Sequence, residues 1–435
     1  MPISILYLPL KVPVRFDLVQ PLATWLDDDE SQAGFDKSSS SFSSSGGDDA
    51  PAMVVPKPTY TSVQCRSELL RIAALRNCMS EHLQDSHKSA LEEGDMLRDC
   101  QDYHATLLEF EKRGFPTGGD DTENGIALTW RGAFGTKPPE THHTLLWDRA
   151  CTLWNIAALK SASAALLLNG RSSDQTQQTT KEEYKSAISH LQQSASHLSL
   201  CRQLMEFSQE EYVSTVDLSK PMLQLWEKIM LAQAQTLIYQ MANLGDSAVR
   251  NHTTLAYLIQ GAAPFYNEAL KIAQHPRLQS EVPTPCTEWA AHCKAQSLVC
   301  QARAYFHMSI EFRLSKSAHG KEITRLHQTI STLNEVLTFC KSSQVLREAN
   351  RIFNNSTMTP MAEAAATIQP EAEGLKRLAS DRLTAAELDN QSIYLEDIPN
   401  PDQLQEIRAL TMVKMNLPLP AAMLIPRANL FAWDR

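Results

Sequence analysis

The stretch that most constrains this chain is Asp217–Asn243, DLSKPMLQLWEKIMLAQAQTLIYQMAN. Ser219 stands at the position of a helix N-cap, and Pro221 falls in the first turn, where a missing N–H costs little. No Gly and no further Pro interrupts the run before Leu244-Gly245, where a C-terminal stop is expected. Leu223, Trp226, Met230, Ala234, Leu237 and Met241 recur at helical spacing and make one apolar stripe; Leu225, Ile229 and Ala232 begin a second. A helix apolar on two sides is buried on two sides, so it belongs in the middle of a bundle. The remaining face, Gln224, Glu227, Lys228, Leu231, Gln235 and Ile238, is polar except at Leu231 and Ile238. Those two either pack under a neighbouring loop or form a patch left open for a partner.

A chain of 435 residues exceeds the usual reach of one hydrophobic core, so length predicts two or three domains or one elongated array. A hydrophobic fraction of 43% with only 15 Gly, and many Ala, Leu, Gln and Glu, points to helices. The net charge of −10 argues against a general nucleic-acid binder and offers no overall attraction to anionic membrane. Nine Cys, odd in number and dispersed, read as reduced thiols of a cytosolic protein. The N-terminus lacks a basic region and is interrupted by Pro2, Pro9 and Pro13, which predicts a strand and no signal peptide. No apolar run is expected to reach membrane-spanning length, and the C-terminal residues carry no prenylation box.

Taken in order, Ile3–Phe16 is expected as an edge strand and Asp17–Leu26 as a short helix. Asp27–Thr61, rich in Ser, Asp and Gly, cannot bury enough surface to order itself and reads as a flexible insertion. Ser62–Leu83 and Ser86–Phe110 read as helices, Ile126–Trp130 as a short strand, Leu145–Leu168 as a strongly apolar helix and Lys181–Phe207 as an amphipathic one. Pro264 should kink or split the next helix, Ser247–Gln274. Glu288–Leu314 and Lys321–Lys341 form a helical pair, Ser343–Ile352 a short helix, and Met361–Asp389 a longer one. Five prolines from Pro399 to Pro426 make residues 398–435 a mostly extended tail, expected to lie along the bundle.

Catalytic and cofactor motifs do not assemble. A phosphatase loop needs an Arg six positions after its Cys to grip phosphate, and after Cys293 that position is Val299. His292, Cys293, Cys300 and His307 recur at helical-core spacing rather than as a metal cluster. Glu140 and His142-His143 fall in an expected loop and read as solvated. No Walker loop, dinucleotide fingerprint or G-x-S-x-G occurs. The expectation is a non-enzyme without metal or cofactor.

Five blocks, in order, resemble the Bro domain. They are Asp17-Leu18, Pro21-Leu22 and Trp25; Leu128-Thr129-Trp130-Arg131 with Ala133-Phe134, Gly132 replacing the family's Asp; Asp148, Cys151, Leu153, Asn155, Ala158 and Leu159; Met230–Gln235; and Asp389-Asn390, Ile393-Tyr394 and Pro399. The resemblance covers the chain apart from Asp27–Thr61. It implies one Bro-type domain over residues 1–435: a mainly α, elongated and curved fold of stacked, tetratricopeptide-like helical hairpins with a small N-terminal β-sheet. It also implies helix-in-groove recognition of the amphipathic C-terminal helix of a charged multivesicular body protein, an ESCRT-III subunit, by a cytoplasmic adaptor recruited through its partners to endosomes.

The family's apolar contacts fall on Ile238, Thr254 and Leu258, with Thr254 a departure from an aliphatic residue; a basic contact falls on Lys185. Tyr394 matches a tyrosine that is phosphorylated for kinase docking, and it also reads as an ordinary buried aromatic at a turn. A Rhophilin-like signalling scaffold with a diverged groove is the alternative.

Overall fold

The computed structural model describes residues 5–14, 70, 72–81, 90–112, 127–134, 138–169, 179–207, 215–244, 251–315, 318–343 and 360–415. Outside them lie the Asp17–Leu26 block, the Asp27–Thr61 insertion, half of Ser62–Leu83, most of Ser343–Ile352, the Gly245 stop and residues 416–435. The chain divides into two compact units, one built from Met1–Leu8, Ala157–Arg202 and Val216–Leu417, the other from Pro9–Ile156, Gln203–Thr215 and Pro418–Arg435. The architecture is mainly helical with one small antiparallel sheet.

The second of these units holds β1 (Val12–Pro13), α1 (Ala90–Lys112), β2 (Leu128–Arg131), β3 (Glu140–His142) and the first half of α2 (Leu145–Asn169). The strands run in the order β1-β2-β3, with Pro13 opposite Trp130 and Trp130 opposite Glu140. Its centre is the fully buried Asp148. Its carboxylate accepts from Arg76 Nη2 at 3.1 Å, Trp130 Nε1 at 2.6 Å and Tyr103 Oη at 2.5 Å. A buried carboxylate is tolerable only with such a complement of donors and an opposite charge.

Two expectations need correction in this unit. Glu140 and His142 lie in strand β3, not in a solvated loop. His142 stacks on Trp147 at 3.7 Å, and burial, with His143 and Lys11 near it, pushes its pKa down to about 4. Of the expected strand Ile3–Phe16, the described residues 5–14 form strand only at Val12–Pro13, because Lys11 offers its backbone to a helix side chain: Asn155 Oδ1 accepts from Lys11 N at 2.8 Å and Asn155 Nδ2 donates to Lys11 O at 2.9 Å.

The helix α2 also overturns the expectation about apolar length. Leu145–Leu168 is long and apolar enough to cross a membrane by length and composition. Most of that surface, 72% of its most apolar window, is buried within the fold.

The larger unit carries the second half of α2, α3 (Lys181–Phe207) as far as Arg202, α4 (Lys220–Ala242), α5 (His252–Gln260), α6 (Ala263–Ala273), α7 (Pro276–Glu281), α8 (Pro283–Leu314), α9 (His319–Ser342) and α10 (Pro360–Asp389). The split between α5 and α6 follows from Pro264, which takes the first turn of a new helix after Gly261-Ala262. Gln233 pins the N-terminal segment here, accepting from Leu6 N at 2.7 Å and donating to Leu6 O at 3.0 Å.

The 32-residue α8 packs against α5, α6, α9 and α10. Ala, Cys and Ser at its buried positions let backbones approach closely, and Ala295, Val299, Leu333, Val336, Ile368 and Ala372 join three helices in one core. His292, Cys293, Cys300 and His307 are all buried on α8, as helical-core spacing implies.

Candidate functional site

The site expected from the sequence centres on α4, and the structure shows why this helix forms and what it leaves open. Ser219 occupies the N-cap with extended backbone, φ −66° and ψ 145°, but its hydroxyl donates to Val216 O at 2.5 Å instead of capping an N–H. Both expected stripes are buried up to Leu237, and Trp226 meets Trp289 of α8 edge-on at 5.3 Å, an arrangement worth about 1 kcal/mol beyond the buried area.

The third face is mostly closed as well. Glu227, Leu231 and Gln235 are buried, so of the two stray apolar residues Leu231 is covered. Glu227 lies 3.6 Å from Arg202 of α3; burial raises its pKa, against the pull of Arg202 and Lys228. Leu231 packs inward. What remains is the last turn and a half, where Ile238 and Met241 are half-buried.

Gln235 is the hinge of the arrangement. Its Nε2 donates to Leu258 O of α5 at 2.8 Å and to Leu410 O at 2.9 Å, while its Oε1 accepts from Met412 N at 2.9 Å and Val413 N at 3.2 Å. Leu410 N in turn donates to Tyr257 O at 2.9 Å. Residues 404–413 therefore run across α5 as an extended strap whose polar groups are matched by α4 and α5. Its upstream part is held by α9: Thr324 Oγ1 donates to Pro399 O at 2.7 Å, and Arg325 donates to Gln405 O. The strap comes so near α5 at Gly261 that a Cβ there would sit 2.4 Å from Leu410 O.

The five expected residues fare differently. Ile238 is half-buried and Thr254 is exposed, the latter in the first turn of α5, where its N–H donates to the capping Asn251 Oδ1 at 2.8 Å. Leu258 is only 5% exposed, so it is not an open anchor. The physical reason is periodicity: Leu255, Leu258 and Ile259 share the face of α5 that packs on α4 and α8. The Gln235 bond to its carbonyl ties Leu258 to α4 one turn before Ile238. Lys185 is exposed on α3 in an ion pair with Glu182 at 2.7 Å. Tyr394 is 43% exposed, not buried, and stacks on His319 at 3.5 Å.

Beneath the half-open turn lies a polar ladder the sequence did not announce. Tyr239 Oη is 2.8 Å from His307 Nε2, and His307 Nδ1 is 3.0 Å from His252 Nδ1, so one imidazole donates and the other accepts. Arg303 lies over the Tyr239 ring and pairs with Glu371 at 2.6 Å. Burial opposes the Arg303 charge, and Glu371 more than restores it. A small pocket of about 40 Å³ beside Gln240, Arg303 and Glu371 has room for a few waters.

Comparison with known proteins places residues 57–432 in a match to the model of the BRO1-like domain. A pH-response regulator protein palA/RIM20 of Emericella nidulans is 27% identical over 296 residues, 68% of this chain and 30% of the relative. Mouse tyrosine-protein phosphatase non-receptor type 23 is 23% identical over 69% of this chain and 15% of its own length. The chain thus spans a third or less of these two curated relatives. Among solved structures, one described as an ALIX BRO1 CHMP4C complex aligns with a TM-score of 0.67 at 21% identity, covering 95% of each chain.

Proposed function

The chain belongs to the BRO1-like domain family, and from that premise we propose that it is a non-enzymatic adaptor for the amphipathic C-terminal helix of an ESCRT-III subunit. The helix docks beside the end of α4 and the start of α5, and the protein works in the cytoplasm, recruited to endosomes for multivesicular-body sorting. The observation that carries this reading is the half-buried pair Ile238 and Met241 at the end of a helix whose large apolar side chains from Met222 to Leu237 are buried. The fold likeness to the ALIX domain in its CHMP4C complex supports it.

In this reading Ile238 is the apolar anchor, with Thr254 and the half-exposed Tyr257 at its edge. Leu258 supports the groove floor from inside. Lys185 exchanges Glu182 for a carboxylate on the bound helix. Tyr394 is reachable by a kinase once its ring leaves His319. A few small anchors fit a transient interface, with a dissociation constant on the order of micromolar.

The test is titration of a fluorescently labelled C-terminal helix from a charged multivesicular body protein. The wild-type chain gives saturable binding, and Ile238→Asp weakens it at least tenfold with unchanged circular dichroism. Equal binding by the two proteins sinks the site.

A second reading, a signalling scaffold of the same fold with a diverged groove, is favoured by Thr254 being polar and by Leu258 being covered. It predicts no saturable binding in the same titration.

A further inference from the structure

The turn that ends α10 holds large apolar side chains in solvent. Among the described residues Leu395 is the non-glycine residue with positive φ, at φ 51° and ψ 32°. L side chains avoid this conformation because Cβ crowds the backbone. The turn is nevertheless braced at every step. Leu395 N donates to Asn390 O at 2.7 Å, Glu396 N donates to Asn390 Oδ1 at 3.0 Å, and Asn390 Nδ2 donates to Glu396 O at 2.9 Å. Gly320 N at the start of α9 donates to Glu396 Oε2 at 2.9 Å, and at Gly320 a Cβ would lie 2.1 Å from Asp397 O.

The result of this bracing is exposure. Leu395 is 75% exposed, and Leu388, Ile393 and Ile398 are each more than half exposed. Four large aliphatic side chains within eleven positions gain nothing for folding in this placement. Backbone strain that the surroundings over-determine points to a binding role.

The charge around them is one-sided. From Leu383 to Ile407 the chain has no Lys and no Arg, but it carries Glu387, Asp389, Glu396, Asp397, Asp402 and Glu406. On the elements packed against this turn, Arg382 lies 3.8 Å from Glu322 and Arg325 donates to Gln405 O, so those two cations are already engaged; His327 lies 3.4 Å from Glu387, Lys321 and His319 stand at the start of α9, and Arg313 acts on Glu322 and Arg382.

We propose that the Leu388–Ile398 turn is a second docking surface, which receives a basic amphipathic peptide segment of a partner protein. The apolar side of the segment covers Leu395, Ile393 and their neighbours, and its lysines or arginines meet the carboxylate rim. Neutral apolar segments gain only the first interaction. Anionic lipid surfaces meet the rim with repulsion. The surface shares no residue with the Ile238 groove and stands whether or not that groove binds an ESCRT-III helix.

The experiment uses the full chain and a labelled fourteen-residue peptide of Leu and Lys at amphipathic helical spacing, read by fluorescence anisotropy. Wild type binds saturably, and binding weakens at least tenfold for Leu395→Asp and for a peptide with Glu in place of Lys. Ile238→Asp binds like wild type. Leu395→Gly, which relaxes the backbone while removing the apolar side chain, also loses binding with its thermal midpoint kept or raised. Equal binding by wild type and both Leu395 variants overturns the proposal, as does equal binding of the two peptides. Leu395-dependent capture of phosphatidylserine vesicles in place of the peptide assigns the surface to lipid and overturns it as well.

Discussion

The side chain of Gln235 and the backbone of Leu410, 175 positions apart, meet at 2.9 Å, and the same amide reaches Leu258 O at 2.8 Å. One buried side chain thus sets where the extended strap lies and how α5 sits on α4. The MLAQAQ block is conspicuous in sequence because both of its glutamines clamp backbone that has no strand partner: Gln233 holds Leu6, and Gln235 holds Leu410, Met412 and Val413.

Gln235→Ala should therefore free the strap. It leaves Met412 N and Val413 N without their acceptor and two carbonyls without a donor. Each buried polar group left unmet costs roughly 1–3 kcal/mol, reduced where water can enter. The expected outcome is a loss of about 2–3 kcal/mol in chemical denaturation, with amide exchange accelerated first at residues 410–413. An unchanged exchange rate there would show that the amide is dispensable.

Gly261→Ala attacks the same contact by volume. The residue has ordinary helical φ, −63°, so the penalty is steric and not conformational. A methyl group 2.4 Å from Leu410 O forces the strap away, at about 1–3 kcal/mol. Limited proteolysis should cut the 404–413 segment faster in this variant than in wild type.

Leu258→Asp and Ile238→Asp should separate cleanly. A carboxylate at buried Leu258 is taken out of water, so the variant loses on the order of 3 kcal/mol and its thermal midpoint drops. Ile238 is half-exposed, and its aspartate variant keeps its midpoint within a few degrees. Matching midpoints would mean that Leu258 is not structural.

Acid should unfold the protein through its histidines. Burial pushes His142, His190, His197 and His292 down to about 4, with Lys160 adding to the effect at His190 and His197. These rings are neutral when folded, while the unfolded chain takes up protons near pH 6.5. Between pH 6.5 and about 4 the unfolded state binds more protons. The stabilisation is thus complete above 6.5 and disappears as pH falls through 4. His292, wholly buried on α8, contributes on the order of 3 kcal/mol of this dependence. Thermal midpoints from pH 7.5 to 4 should fall steeply, and His292→Gln should flatten the slope.

The helices themselves were legible, because their cause is local. Apolar spacing, a Pro in the first turn and the break at Pro264 announce α4, α5 and α6 with no knowledge of neighbours. The family resemblance rested on similarly local blocks. The burial of Gln235 was not legible, since it depends on a segment 175 positions away in sequence.

The same limit explains Leu6, Leu8 and Lys11, which fall in the expected strand but spend backbone hydrogen bonds on Gln233, Ser161 and Asn155. A backbone group accepts any partner of suitable geometry, and composition does not say whether that partner is a strand or an amide. The chain by itself determined its helices, their buried stripes and its want of catalytic motifs. Only the tertiary structure decided that Gln235 is covered, because the strap that meets it arrives from residues 410–413 and is held there by long-range hydrogen bonds with no periodic signal.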